Sequence, residues 1–391
     1  MTNEVLQKTA SDEQNVSSSN GLEPLPKLRF LEFKNTYKKT KLNEAVERIQ
    51  RRDPTSEAPV MMLSATSGFI MQSEKYSREN AGQSLKKYIL LRKGELAYNH
   101  GASKYKPFGC CFELKEDEAR IPYVYHCFAV KENNDKSYIA RLLNNQKIDQ
   151  QLKRLISSSV RMDGLLNISY EEYTGIDLYL PSLLEQQKIA TFLSLMDTRI
   201  EKQRQLVESL KKYKRGALSR VFNDVLETVK LSDISNFISS ARTLSTTLNG
   251  NKGIYPVYDA AGIAGYIDYY DIDSDYITIV KDGSGVGRLQ KCDKKSSFIG
   301  TLGALVAKNC TTDFLYAVLQ TIDFSKFVTG MAIPHIYYRD YKSTLLPFPS
   351  EEKQHFISQL LKKFDIYIEN ETQKLTNMLA YKQGLLQQMF I

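Results

Sequence analysis

Residues 181–222 and 349–390 are one helical sequence written twice, at a constant offset of 168. Aligned without a gap, Pro181, Ser182, Gln186, Ile189, Asp197, Ile200 and Glu201 recur as Pro349, Ser350, Gln354, Ile357, Asp365, Ile368 and Glu369. Further on, Gln205, Tyr213, Lys214, Gly216, Leu218 and Phe222 recur as Gln373, Tyr381, Lys382, Gly384, Leu386 and Phe390. Both copies set apolar residues at alternating steps of three and four. The first has Ile189, Leu193, Met196, Ile200, Val207, Leu210, Ala217 and Val221; the second has Ile357, Leu361, Phe364, Ile368, Leu375, Met378, Leu385 and Met389. The interruptions recur too, at Gln203 and Glu371 and again at Lys214 and Lys382. An apolar period near 3.5 held this long is a coiled-coil seam. Two copies in one chain would most simply pack on each other. We expect an antiparallel pair, meeting through Ile189/Leu193/Met196/Ile200 and Ile357/Leu361/Phe364/Ile368.

The segments before the helices also share a frame. Lys41–Ile49 echoes Lys230–Ile238, each reading as a short amphipathic helix, and a strand-like run precedes each Pro-Ser (Leu178–Ser182 and Pro347–Ser350). Proline at a helix start with acidic residues in the first turn is a start signal. Between these ends lie β-rich runs at Tyr123–Val130, Ile254–Tyr258, Tyr276–Val280 and Phe298–Leu305, and helical patterns near 138–156 and 313–327. The expected fold class is α+β: two mixed α/β domains with mostly antiparallel sheets, joined by two long antiparallel helices in a pseudo-twofold repeat. The boundaries read as a tail 1–25, a first domain 26–181, a central helix 182–222, a second domain 223–348 and a distal helix 349–391.

A chain of 391 residues, 42% hydrophobic and 25% charged, has room for two or three cores. No stretch approaches 18 consecutive apolar residues, so no membrane span is expected. The polar start lacks an apolar h-region, which argues against a secretory signal and for a disordered tail in the cytoplasm. Five cysteines without a CxxC fit free thiols in a reducing compartment. The net charge is +8, and helix 181–222 carries nine Lys or Arg against four acidic residues. Such a balance suits a polyanionic partner or an ordinary solvated helix face.

Catalytic constellations are missing. There is no GxxxxGK[ST] phosphate loop and no HExxH, and His100, His126, His335 and His355 are scattered. Asp282–Arg288 alternates glycines but has no helix pattern after it, so a hairpin loop is expected there. Asp271–Asp275 resembles the start of a calcium loop, yet Tyr276 stands where the turn requires glycine. No [DNS]PP[YF] tetrapeptide occurs, so the chain has no adenine-methyltransferase site of its own. No enzyme activity is expected of this chain alone.

Leu180-Pro181-Ser182-Leu183-Leu184-Glu185-Gln186-Gln187-Lys188-Ile189 resembles the Leu-Pro-x-x-x-Glu-Gln-x-x-Ile pattern of the specificity subunit of type I restriction-modification systems. Leu206–Leu218 resembles that family's helix exit. Leu91–Asn99, Val160–Ile168 and Thr329–His335 resemble recurring phrases of its target-recognition domains. The second copy departs from the pattern at Lys353, where the first has Glu185. The resemblance implies two target-recognition domains, each reading one half of a split, asymmetric duplex DNA sequence. It further implies that two methyltransferase subunits dock on the helices and that translocating nuclease subunits join them. S-adenosylmethionine, Mg and ATP would then sit on the partners, with no cofactor on this chain.

On that reading, donor-rich loops near glycines and strand ends are the places for base and phosphate contacts. They are Asn99, His100, Ser103, Lys104 and Arg161 in the first domain, and Lys281, Ser284, Arg288 and His335 in the second. No catalytic or metal-ligating residue is expected. The competing class is a scaffold of two domains on a coiled coil with no affinity for DNA. Tyr213 and Gly216 are expected to pack against the partner helix.

Overall fold

The computed structural model describes residues 7–8, 25–75, 82–101, 103, 106–156, 166–248, 253–330 and 332–391. The chain divides into two compact units, one formed by 1–202 with 375–391 and the other by 203–374.

In the first unit, strands Val46–Arg48, His126–Val130, Leu96–Asn99 and Cys110–Glu113 form an antiparallel sheet in that order. Successive strand side chains point to opposite faces, and here both faces are buried. Leu96, Tyr98, Cys111 and Phe128 enter one core with helices Lys136–Leu142 and Gln146–Leu155. Ala97, Cys110 and Cys127 enter a second with Met61, Leu63, Ile89, Leu91 and Ile121, which come from two two-stranded sheets. Asp135 and Asn145 cap the two helices through Tyr138 N and Lys147 N. Strand Asp177–Leu180 pairs with Lys38–Lys41 and delivers the chain to Pro181.

The second unit repeats this frame. Strands Ser235–Ser239, Leu302–Ala307, Tyr276–Val280 and Leu289–Cys292 make the antiparallel sheet. Helix Thr312–Leu319, capped by Thr311, buries Phe314, Leu315, Ala317, Val318 and Leu319. Strand Thr228–Lys230 pairs with Leu345–Pro347. A further sheet of Gly262–Ile267, Tyr255–Asp259 and Ser297–Phe298 includes a parallel pair. The sheets of each unit are thus several small ones. The expected opening helices are one turn each, Leu42–Ala45 and Leu231–Ile234, and the chain then turns into strands Val46–Arg48 and Ser235–Ser239. Pairing with His126–Val130 and Leu302–Ala307 overrides the local amphipathic period.

The long helices run Leu183–Asn223 and Glu351–Met389. In the first unit Ile189 and Leu193 share a core with Leu385, Met389 and Phe390, and Asp197 pairs with Lys382 at 2.5 Å. In the second, Leu218 and Phe222 share a core with Ile357 and Leu361, and Lys214 pairs with Asp365 at 2.6 Å. Ascending positions on one helix meet descending ones on the other, so the packing is antiparallel. This corrects the expected contact of Ile189–Ile200 with Ile357–Ile368. Antiparallel helices bring the start of one to the end of the other, so the two equivalent starts lie apart and repeat mates meet only near the middle. The breaks in the seam turn out to be partners. Lys214–Asp365 and Lys382–Asp197 use the same two repeat positions, and Gln203 donates to the carboxylate of Glu371, its own repeat mate, at 2.7 Å.

Each helix start is tied by a repeated glutamine. Gln186 Nε2 donates to the Pro181 carbonyl at 3.0 Å, and Gln354 Nε2 to that of Pro349 at 2.9 Å. The preceding position is not repeated. Glu185, 1% exposed, receives Arg29 Nε and Nη2, both at 2.7 Å, and the Tyr37 hydroxyl at 3.0 Å. Lys353 could not fill that role.

Candidate nucleic-acid interface

Four of the nine expected contact residues converge in the second unit. Residues 281–288 connect strands Tyr276–Val280 and Leu289–Cys292, with the neck closed by Val280 N to Arg288 O and Gly287 N to Val280 O, both 2.9 Å. Gly283 and Gly287 take φ of +97° and +85°, which glycine alone adopts without strain. A Cβ on Gly287 would come within 2.7 Å of Phe324, so the loop lies close against the core there. Segment 329–337 runs alongside, bridged to Asp282 at His335 and joined by Gly283 N to Pro334 O and Ile336 N to Lys281 O, both 2.9 Å. Ser284 and Arg288 are exposed. The Arg288 guanidinium bonds the Ala260 carbonyl, bringing in the turn 259–262, whose amides at 261 and 262 are held by Asp259. Lys281 pairs with Asp282 at 2.6 Å. The surface is therefore three pinned loops bearing guanidinium, hydroxyl and imidazole groups, a set able to donate to phosphates and base edges.

Sequence reasoning missed its aromatic part. Tyr337 is exposed, its ring 5.0 Å from that of His335, and Arg339 lies 4.6 Å over its face. Farther along, Arg242 stacks on Tyr269 at 4.8 Å and pairs with Asp271 at 2.8 Å. The run Tyr337-Tyr338-Arg339, one residue beyond His335, was the available signal: basic and aromatic residues interleaved.

In the first unit the candidates lie around residues 99–106. Asn99 ends its strand, donating to the Leu63 carbonyl at 3.3 Å and accepting from Gly101 N at 2.9 Å. Ser103 Oγ accepts from Lys106 N at 3.1 Å, closing a turn. His100 is buried beside His126, ring centroids 5.0 Å apart, in a stack that includes Tyr98 and Tyr173. Lys104 and Arg161 lie outside the described residues. Burial holds the His126 imidazole far below its ordinary range, at about 4, despite its bond to the Ile168 carbonyl.

Among the described residues no three His, Cys, Asp or Glu converge on a common point. Burial pushes the thiols of Cys110, Cys292 and Cys310 up to about 11, leaving them protonated at neutral pH and poor nucleophiles. Among the described residues no helix is long and apolar enough to cross a membrane.

The outer faces of the long helices depart from expectation. Tyr213 is 67% exposed, its ring 5.8 Å from that of Phe364 on the other helix, and a Cβ on Gly216 would meet nothing within 4 Å. Their repeat mates behave alike: Tyr381 is exposed, and a Cβ on Gly384 would meet only Gln388, at 3.9 Å. These identities are not explained by packing in the seam, because both pairs sit outside its apolar stripe.

Residues 223–379 match the type I restriction modification DNA specificity domain. The chain is 29% identical over 151 residues to a Mycoplasma pneumoniae protein named as a type I specificity subunit, a match covering 37% of this chain and 49% of that one. It therefore spans about half the length of that relative. It is also 27% identical over 115 residues to the specificity subunit of the type I restriction enzyme EcoprrI of Escherichia coli, covering 29% of this chain and 28% of that one. Its fold is similar to the crystal structure of a type I restriction-modification S subunit from M. genitalium (TM-score 0.59, 16% identity, 94% of this chain and 99% of that one). Over residues 223–379 the chain is thus similar in sequence to the type I restriction modification DNA specificity domain, and its fold is that of solved type I S subunits.

Proposed function

We propose that this chain is the DNA-reading subunit of a type I restriction-modification complex. Domains 26–181 and 223–348 each read one half of a bipartite, asymmetric duplex target, and 182–222 and 349–391 are the helices that carry them. The observation behind this reading is the pair of repeated ion pairs, Asp197–Lys382 and Lys214–Asp365, set against loops that differ between the units. A frame kept twice, with its loops free to diverge, is what two readers of unlike half-sites require. The specificity-domain match over 223–379 supports the same reading of the second unit.

Catalysis would belong to the partners. Two methyltransferase subunits would dock on the exposed Tyr213/Gly216 and Tyr381/Gly384 faces and methylate adenines with S-adenosylmethionine. Nuclease subunits using ATP and Mg would cleave unmodified DNA, all in the bacterial cytoplasm. The DNA contacts would come from Ser284, Arg288, His335 and Lys281 in the second unit and from the 99–106 loop with Lys104 and Arg161 in the first.

Methylation mapping of host genomes with and without this chain tests the reading. We expect one split adenine-methylated motif to vanish with the chain, and Arg288→Gln to relax one half of that motif only. An unchanged methylome would sink the proposal. So would duplex binding that is absent or indifferent to salt, since phosphate contacts make affinity fall with ionic strength; that result would leave a protein scaffold.

A further inference from the structure

The loop after Thr329 is tied at its neck and then tied again to its neighbour. Thr329 and His335 exchange backbone hydrogen bonds of 2.9 and 2.8 Å, Gly283 N donates to Pro334 O, and Ile336 N donates to Lys281 O. Gly330 takes a φ of +87°, and a Cβ there would lie 2.5 Å from the Ile333 carbonyl oxygen and 2.8 Å from the His335 ring. No other residue fits that position. His335 Nδ1 stands 3.1 Å from the same Ile333 carbonyl. A carbonyl only accepts, so Nδ1 carries a proton here. At the tip of this fastened loop Ile333 is 67% exposed.

A single exposed apolar side chain is ordinary on a protein surface. Ile333 differs in its setting. Four backbone hydrogen bonds and a glycine-only turn hold it outward beside the loop carrying Ser284 and Arg288, where a slack loop would let it fold inward. The geometry points to Ile333 as a specificity residue that covers the C5-methyl group of a pyrimidine in the major groove, with the polar groups of the 281–288 loop contacting the surrounding edges and phosphates. This rests on the DNA-reading function above. The methyl group is the one apolar feature on the major-groove edge of an A·T pair. A β-branched side chain on a fixed loop covers it with little rotamer freedom left to lose. Thymine and 5-methylcytosine carry the same group.

The test uses the full chain assembled with its methyltransferase partner and duplexes bearing the mapped target. Each thymine is replaced in turn by deoxyuridine and each cytosine by 5-methylcytosine. We expect one thymine-to-uracil change in a single half-site to weaken binding about four-fold, the worth of one buried methyl-sized group. Ile333→Ala should bind the thymine and uracil duplexes equally, while Ile333→Val retains most of the difference. A change confined to 5-methylcytosine duplexes and erased by Ile333→Ala would assign the methyl to that base. The inference is overturned if no replacement alters affinity, or if Ile333→Ala keeps the wild-type sensitivity. If the wild-type assembly does not prefer the mapped duplex over an unrelated one, the DNA-reading function falls as well; if it does and the replacements are silent, only the role of Ile333 falls.

Discussion

His126 shows what burial costs a titrating residue. Its ring lies among Tyr98, His100, Tyr170 and Tyr173, with Arg48 and Glu171 nearby, and desolvation sets its folded value at about 4. The unfolded chain takes up the proton near 6.5. Between those values the unfolded state binds more protons, so the stability contributed by a neutral His126 is full above about 6.5 and is lost as pH falls towards 4. From pH 7 to pH 5 the loss is about 2 kcal/mol. Urea unfolding of wild type and His126→Phe at both pH values should show this slope in the wild type alone; parallel curves would refute it. At this scale the sequence was least legible. Residue type placed Arg288 and Ser284 on loops, but an isoleucine defaults to the core, so nothing in the order of residues marked Ile333 as exposed. His100 shows the converse, a polar residue after a strand end that the fold tucks beneath a stack of rings.

The long helices were legible because a repeated apolar period needs no knowledge of its partner. The partner itself was not. Ile189 and Ile357 look like natural mates by sequence, yet the antiparallel course sends Ile189 to Leu385 and Met389. Val46 was misread for a related reason: its strand exists because His126–Val130, some 80 residues on, supplies the hydrogen bonds. The seam makes a sharp comparison between neighbours. Leu193 is fully buried, whereas Leu195, two positions on, is largely exposed. Leu193→Ala should cost about 2–5 kcal/mol in denaturant unfolding, the range for a leucine truncated in a core. Leu195→Ala should stay within about 0.5 kcal/mol, as surface changes do. Equal costs at both positions would contradict the assigned faces.

Taken whole, the molecule repeats not only its helices but what it leaves uncovered on them. Tyr213 with Gly216 and Tyr381 with Gly384 are identical pairs, both tyrosines largely exposed and both glycines uncrowded. If they are docking faces, the assembly should contain two methyltransferase chains for each copy of this one, which native mass measurement reads directly. Tyr213→Ala or Tyr381→Ala alone should reduce the ratio to one, and the double variant should abolish assembly. A one-to-one wild-type complex would show that the repeated pairs serve something else.

The buried pair of Arg29 and Glu185 bears on how such a chain can be inherited in pieces. Its two members lie 156 residues apart, one ahead of the four-stranded sheet of the first unit and one in the first turn of the long helix that follows it. A genetic exchange whose crossover falls between them leaves a charge from one parent facing a residue from the other. If the incoming position resembles Lys353, the guanidinium is left buried without its carboxylate, a loss of several kcal/mol. At the start of the second long helix Lys353 stands in place of Glu185, so that carboxylate clasp is not repeated there. On the DNA-reading function proposed above, a new second half could be traded in without this clasp, whereas the first half would have to travel with both of its ends.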